Sequence, residues 1–181
     1  MQQLKIALQA LGPLRPAAWE SIARATQLLQ LKENENLIRR ADMVAFLVSG
    51  LLKEYDARQR KRPSIINFIP EGNFLITRKF NEANFIKACC PSVVYLMEWA
   101  QLQSLYQQYN ELKQIYDGLS ERYDISITYR QMLLEEKVSG ARISMFIHSH
   151  RLILPMVKKK DIANYLHLAY DHFVRQYSKL L

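Results

Sequence analysis

The sequence predicts an α+β fold: a β-rich N-terminal block built as a sandwich or barrel, one long helix, and a pair of short helices at the C-terminus. Three observations predict it. Between positions 27 and 97 the chain runs through short apolar and β-branched stretches, separated by the polar breaks KENEN, DARQRKRP and PEGN. Many closely spaced strands have this pattern. From Glu98 onward the pattern stops, and apolar residues recur at helical spacing to about position 137. The last twenty-five residues, VKKKDIANYLHLAYDHFVRQYSKLL, read as two short helices around a tight turn, entered through three lysines.

Each element follows in order. The opening segment to about Thr26 is helical, with Pro16 near a helix start and Trp19, Ile22 and Ala23 at helical spacing. Strands are expected over 27–31, 36–39, 43–55, 64–69, 85–89 and 92–97. Gly50, inside FLVSGLLKEY, marks a bulge or a close approach of backbones. Residues 101–109 form a short helix. Asn110 is the expected N-cap of a long helix over 110–137. Leu112, Tyr116, Leu119, Tyr123, Ile127 and Leu134 lie along one stripe of it. A helix of ~27 residues spans about 40 Å, longer than a small domain needs for its own core. The stripe therefore predicts a partner helix and a homodimer. Packing on the β-block of the same chain is the alternative. Gly118 weakens the helix interior, and Ser126 and Arg130 interrupt the seam. Ser139–Ser149 is a further helix, with Ile143, Phe146 and Ile147 on one face, and residues 152–155 end it.

In the C-terminal element, residues 160–166 carry Ile162, Ala163 and Leu166 at helical spacing. Ala163 is small where two helices cross. His167 and Leu168 fit the turn, and residues 169–181 form the second helix, with Phe173 inward. This is helix-turn-helix spacing, in which the second helix enters a major groove. Tyr170, Asp171, His172, Arg175 and Lys179 are the expected DNA-facing residues of that helix, with Arg175 suited to guanine O6 and N7. Lys158, Lys159 and Lys160 would meet phosphates. A solvated charge run beside a packed helical hairpin is the plainer reading. The charge distribution favours a polyanion. Residues 138–181 hold seven Lys/Arg against two acids, which is +5 of the chain's net +8.

Composition closes off other classes. The chain has 181 residues, of which 49% are hydrophobic, which suits one compact unit or two small ones. No apolar run approaches the ~18 residues that span a bilayer, and no signal peptide is legible at the N-terminus. Cys89 and Cys90 are the only cysteines. An adjacent pair is a poor disulfide, metal or iron–sulfur site, so a cytoplasmic setting is expected. No Cys–His pair, nucleophile elbow, paired carboxylates or Gly-rich phosphate loop points to an enzyme. The His148-Ser-His150 cluster lacks further metal ligands, and no metal is expected.

The ordered series LIRRADMVAFLVSGLLKEY, INFIPEGNF, VVYLMEW, a long helix and DIANYLHL resembles the bacterial Crp/Fnr family of transcription regulators over nearly the whole chain. The resemblance implies three units. These are a cyclic-nucleotide-binding-like double-stranded β-helix (jelly roll) over 1–109, a dimerisation helix over 110–137, and a helix-turn-helix DNA-binding domain over 138–181. It also shows departures. Relatives that bind cyclic AMP carry Gly-Glu-Leu and then Arg-Ser-Ala or Arg-Thr-Ala after the EGNF-like turn. Their Glu holds the ribose and their Arg the phosphate. Here Thr77 stands where the Glu is expected and Ala83 or Asn84 where the Arg is expected. Arg78, Lys79 and Glu82 lie off the matching positions. A pocket around Gly72, Thr77, Arg78, Lys79, Glu82, Ala83 and Asn84 is thus degenerate, and a phosphate in it loses its charge-assisted partner. No cofactor is expected, and an unidentified small-molecule effector stays open. In the turn, His167 replaces the family's usual Gly. Ala169 replaces a capping Ser or Thr, and Gln176 an apolar residue. Residues 150–157 are too few for a full wing. The run at 58–62 solvates a hairpin tip. The expected function is a Crp/Fnr-type regulator that binds duplex DNA as a homodimer. A sensing or protein-interaction module with a vestigial helix-turn-helix is the alternative.

Overall fold

The computed structural model describes residues 1–39, 43–56, 58, 63–97 and 99–180, with only the backbone for 99–102. Two helices open it, α1 (Gln2–Gln9) and α2 (Pro16–Ala25), where one helical segment was expected. Pro16 sits in the first turn of α2, where its missing N–H costs nothing. Eight strands follow: β1 (Gln27–Leu31), β2 (Asn36–Leu37), β3 (Val44–Ser49), β4 (Leu51–Asp56), β5 (Ser64–Pro70), β6 (Phe74–Ile76), β7 (Phe85–Ala88) and β8 (Ser92–Met97). They form two four-stranded antiparallel sheets, ordered β1-β8-β3-β6 and β2-β7-β4-β5. This is the jelly roll that the sequence predicts.

The expected strand over 43–55 is two strands in different sheets. Gly50 divides them with a φ of 100°. An added Cβ there would lie 2.3 Å from Ser92 Oγ, so only glycine lets the chain turn the corner against β8. The strand β6, three residues long, was not anticipated.

Five α-helices follow among the described residues: α3 (Trp99–Gln108), α4 (Glu111–Glu135), α5 (Ser139–Ser149), α6 (Lys159–Tyr165) and α7 (Tyr170–Tyr177). Asn110 does hold the N-cap position of α4. Its backbone is helical, however, and its side chain makes no capping bond. Arg15 instead grips Glu111 in the first turn with two bonds of 2.7 Å. A short 3₁₀ helix over Leu154–Met156 links α5 to α6.

Burial corrects the reading of the long helix. Leu112, Leu119 and Tyr123 are buried within the chain, and Tyr116 and Ile127 are packed on the same cluster. That cluster also holds Leu4 and Leu8 of α1, Ala18 and Ile22 of α2, and Val44 and Phe46 of β3. The expected dimer stripe is therefore covered by the chain's own β-roll and N-terminal helices. Periodicity shows that one face of a helix is buried, but not by what. The interruptions read in the seam also differ. Gly118 lies against Leu11, and Arg130 is buried, with 8% exposure.

A second cluster joins sheet and helices. Leu51, Ile65 and Phe68 of β4 and β5 share it with Leu133 of α4, Ile143 and Phe146 of α5, and Ile162, Tyr165 and Phe173 of α6 and α7. The C-terminal helices thus bury apolar surface on the roll itself. Among the described residues no helix is long and apolar enough to cross a membrane, and no group of three or more His, Cys, Asp or Glu is placed to hold a metal.

Candidate functional site

The helices α6 and α7 pack through Ile162, Ala163 and Phe173, all buried. His167 carries the turn between them with a φ of 54°, the left-handed conformation that glycine adopts more cheaply. Leu168 N–H donates to Ala163 O at 2.9 Å, closing the end of α6 as a helix C-cap does. The N-cap of α7 is Ala169, which makes no side-chain bond. Asp171 in the first turn is the acidic group that favours the positive helix end.

The predicted DNA-facing residues divide. Tyr170, Asp171 and Arg175 are exposed along α7, and Lys179, expected on the same helix, is exposed in the turn beyond its end at Tyr177; Arg175 Nε donates to Asp171 O at 3.3 Å. His172 is placed differently from expectation. It is half-buried, and its Nε2 lies 2.9 Å from Ser139 Oγ of α5, so it ties two helices together. Lys158, Lys159 and Lys160 are exposed. Lys158 Nζ nevertheless donates to Glu33 at 2.9 Å, and Lys159 Nζ lies 5.3 Å from the Tyr177 ring. Of the basic run at 58–62, Arg58 pairs with Asp56 and donates to Phe80 O at 2.7 Å. Residues 59–62 lie outside the described residues.

Contacts that the sequence did not signal hold this hairpin to the roll. Asn164 of α6 acts on the edge of β5 like a neighbouring strand. Its Oδ1 accepts from Ile65 N–H at 2.6 Å, and its Nδ2 donates to Pro63 O at 3.1 Å. Lys53 of β4 donates to Asp161 at 2.6 Å, with side-chain exposures of 6% and 17%. Burial works against the Lys53 ammonium, but the Asp161 hydrogen bond and the field of Tyr55 and Asp161 hold its pKa above the ordinary value. In the turn, His167 Nε2 lies 2.8 Å from both Ser64 Oγ and an Arg130 nitrogen. A guanidinium only donates, so Nε2 accepts and the ring proton sits on Nδ1. These residues look like ordinary polar positions in the sequence. Only the placement of β5 at a sheet edge gives Asn164 its role.

The expected effector residues also divide. Thr77 and Asn84 are buried inside the roll. Gly72 stands in the exposed turn between β5 and β6, and Lys79, Glu82 and Ala83 are exposed. Arg78 closes the roll against α4. It pairs with Asp124, and its guanidinium carbon lies 4.5 Å from the Phe80 ring and 5.2 Å from the Tyr123 ring. Inside stands a pair that sequence reasoning missed. Arg39 NH1 donates to Glu54 Oε1 at 2.7 Å, with side-chain exposures of 3% and 0%. Its Nε donates to Thr77 Oγ1 at 2.9 Å, and NH2 to Ile76 O at 2.8 Å. Asn84 Nδ2 and Tyr123 OH also donate to Glu54 Oε1, at 2.8 and 3.1 Å. Burial, and next the Glu54 carboxylate, push the Tyr123 phenol well above its usual range.

No family model and no curated protein matches the sequence. Solved structures do match. A protein from Eubacterium rectale assigned to the Crp/Fnr family of transcriptional regulators is 12% identical, with a TM-score of 0.74, covering 90% of this chain and 82% of its own. FixK2 from Bradyrhizobium japonicum is 16% identical, with a TM-score of 0.70 and coverages of 86% and 84%. The c-di-GMP-responsive global regulator CLP from Xanthomonas campestris is 13% identical, with a TM-score of 0.71 and coverages of 92% and 91%. Matching these structures over most of each chain, this protein has the fold of the Crp/Fnr transcription regulators.

Proposed function

We propose that the chain is a Crp/Fnr-type regulator that binds duplex DNA as a homodimer through α7, and that its β-roll takes no cyclic nucleotide. The carrying observation is the exposed face of α7. Tyr170, Arg175 and Lys179 stand free of the core on a helix-turn-helix packed by Phe173, in the quarter of the chain that holds +5 of its net +8. The buried Arg39–Glu54 pair supports the second part. The cation buried beside Thr77, Arg39, already serves a carboxylate, and a phosphate brought there would meet Glu54.

Three units, 1–109, 110–137 and 138–181, remain the proposed division of labour, in a cytoplasmic protein without catalytic activity. The dimer seam of the middle unit moves to the opposite face of α4. Ile125 and Met132 are 60% and 45% exposed there, with Glu121 and Thr128 completing the spacing of about 3.5 residues that a partner helix requires. Replacing Ile125 and Met132 together by Glu is expected to convert the dimer to monomer while the far-ultraviolet spectrum is kept. Sedimentation equilibrium measures this, and a dimer unchanged by the double substitution would refute the seam.

The DNA reading is tested by selecting bound sequences from random duplex DNA with the full-length protein. A two-fold symmetric site is expected. Arg175→Ala should cost about 1–3 kcal/mol at one base position. Lys160→Ala should weaken all sequences alike and lower the salt slope by about one unit. No retention of any duplex at low salt would sink the reading. A second reading, a sensing or interaction module whose helix-turn-helix does not read DNA, is favoured by the docking of Asn164 and His167 onto β5. Dimerisation without DNA affinity would select it.

A further inference from the structure

A cavity of about 320 Å³ lies between the end of β5, the middle of α4, the end of α5 and α6. It is separate in position from the Arg39–Glu54 cluster, and neither the effector cassette nor the DNA-facing helix accounts for it. Four rings line it, those of Phe68, Tyr129, His150 and Tyr165, and Phe146 stands behind His150. His150 stacks on Phe146 at 4.3 Å and 11°. Tyr165 lies 5.1 Å from Phe68 and 5.6 Å from His150, and Tyr129 lies 6.2 Å from His150.

Two polar side chains stand among these walls, and the Arg130 guanidinium carbon lies 5.2 Å from the ring of one of them, Tyr165. Tyr165 is 2% exposed and Asn67 is 8% exposed. Both line the cavity, and neither side chain hydrogen-bonds any described residue. The phenol and the carboxamide are thus two hydrogen-bonding groups that the cavity offers to a ligand.

The His150 ring adds directional information. Ser149 Oγ donates its one proton to Met145 O at 2.9 Å, so it accepts from His150 Nδ1 at 2.7 Å. The Nε2 atom is then an unprotonated acceptor. Burial pushes the imidazole down to about 4, so it is neutral near pH 7. Glu71, in the exposed turn, is the one carboxylate among the described lining residues, which include no Lys or Arg.

We propose that this cavity is a binding site for a small uncharged aromatic amide or lactam. Its ring would lie among Phe68, Tyr129, His150 and Tyr165, and its C=O and N–H would pair with the Asn67 carboxamide and the Tyr165 hydroxyl. The volume is at the lower end of the range for small-molecule sites, which suits one or two rings. An anionic analogue finds no cation among the lining residues and meets Glu71. The ligand would touch β5 on one side and α5 and α6 on the other. Occupancy would therefore hold the helical hairpin against the roll, by differential binding to that arrangement. The inference does not depend on DNA binding.

The test uses the full-length protein with benzamide and isoquinolin-1-one as probes and benzoate as the charged control, followed by protein-observed NMR. At least one amide probe is expected to shift the Asn67 side-chain amide and the Ile153 methyl resonances saturably, with Kd on the order of millimolar for so few atoms. Benzoate should bind about tenfold more weakly or not at all, and Tyr165→Phe should weaken the amide about tenfold, as loss of one hydrogen bond does. Asn67→Ser is the second variant, at a different element, should Tyr165→Phe not fold. Absence of shifts with both amides, benzoate binding equal to benzamide, or probe affinity unchanged in the folded variants would overturn the proposal.

Discussion

Replacing Arg39 by Met is expected to destabilise the chain by about 3–5 kcal/mol, the usual cost of removing one partner of a buried ion pair. Glu54 is 0% exposed, and one of its oxygens, Oε2, already lacks a hydrogen-bond partner. Without Arg39 the carboxylate would keep only the Asn84 amide and the Tyr123 hydroxyl as donors. Thr77 Oγ1 and Ile76 O would lose a donor as well. The double replacement Arg39→Met with Glu54→Met should recover most of the loss, because matched apolar pairs are often neutral relative to a buried ion pair. Urea unfolding measures both. A loss under about 1 kcal/mol for Arg39→Met would mean that water reaches the pair and that the roll interior is open to a ligand phosphate.

The second expectation concerns acid. Burial lowers the His150 pKa to about 4 in the folded chain, against about 6.5 in an unfolded one. Between these values the unfolded state binds the proton and the folded state does not. Stability is therefore full above pH 6.5 and falls as pH drops toward 4. The total loss from this one group is about 3 kcal/mol at most. His150→Phe keeps a ring against Phe146 and removes the titration, so its stability should change less over the same window. Thermal unfolding at closely spaced pH values reads this directly. Parallel profiles for the two proteins would show that His150 stays solvated.

Much of the roll is legible in the sequence. Runs such as 64–69 and 92–97 are apolar, β-branched and bounded by polar breaks, which leaves strand as the only economical state. Gly50 is legible as a special position for the same reason. The strand β6 was not, because its three residues, Phe74–Ile76, are too few to show a period. The hairpin at 159–177 was legible from Ile162, Ala163 and Phe173, and its strained turn from His167 standing where glycine serves best.

Partners across the fold were not legible. Arg39 ends an expected strand with nothing in the sequence to link it to Glu54, yet the fold pairs the two. Tyr123 reads as a seam residue and is a donor inside the roll. Asn164 and Ile65 are 99 residues apart and carry no pattern that links them. Their pairing exists because β5 ends a sheet, and its free backbone groups need a partner.

The sequence by itself determined most of the strands and helices, though not β6 or the split of the opening helix, and where the net positive charge lies. These are set by local propensity and by periods of two or 3.6 residues, which a linear chain displays. Tertiary structure alone decided which face of α4 is covered, which charges are buried together and how the helix-turn-helix rests on the roll. Those depend on residues far apart in the chain meeting in a dry interior, where a hydrogen bond or ion pair becomes obligatory instead of optional.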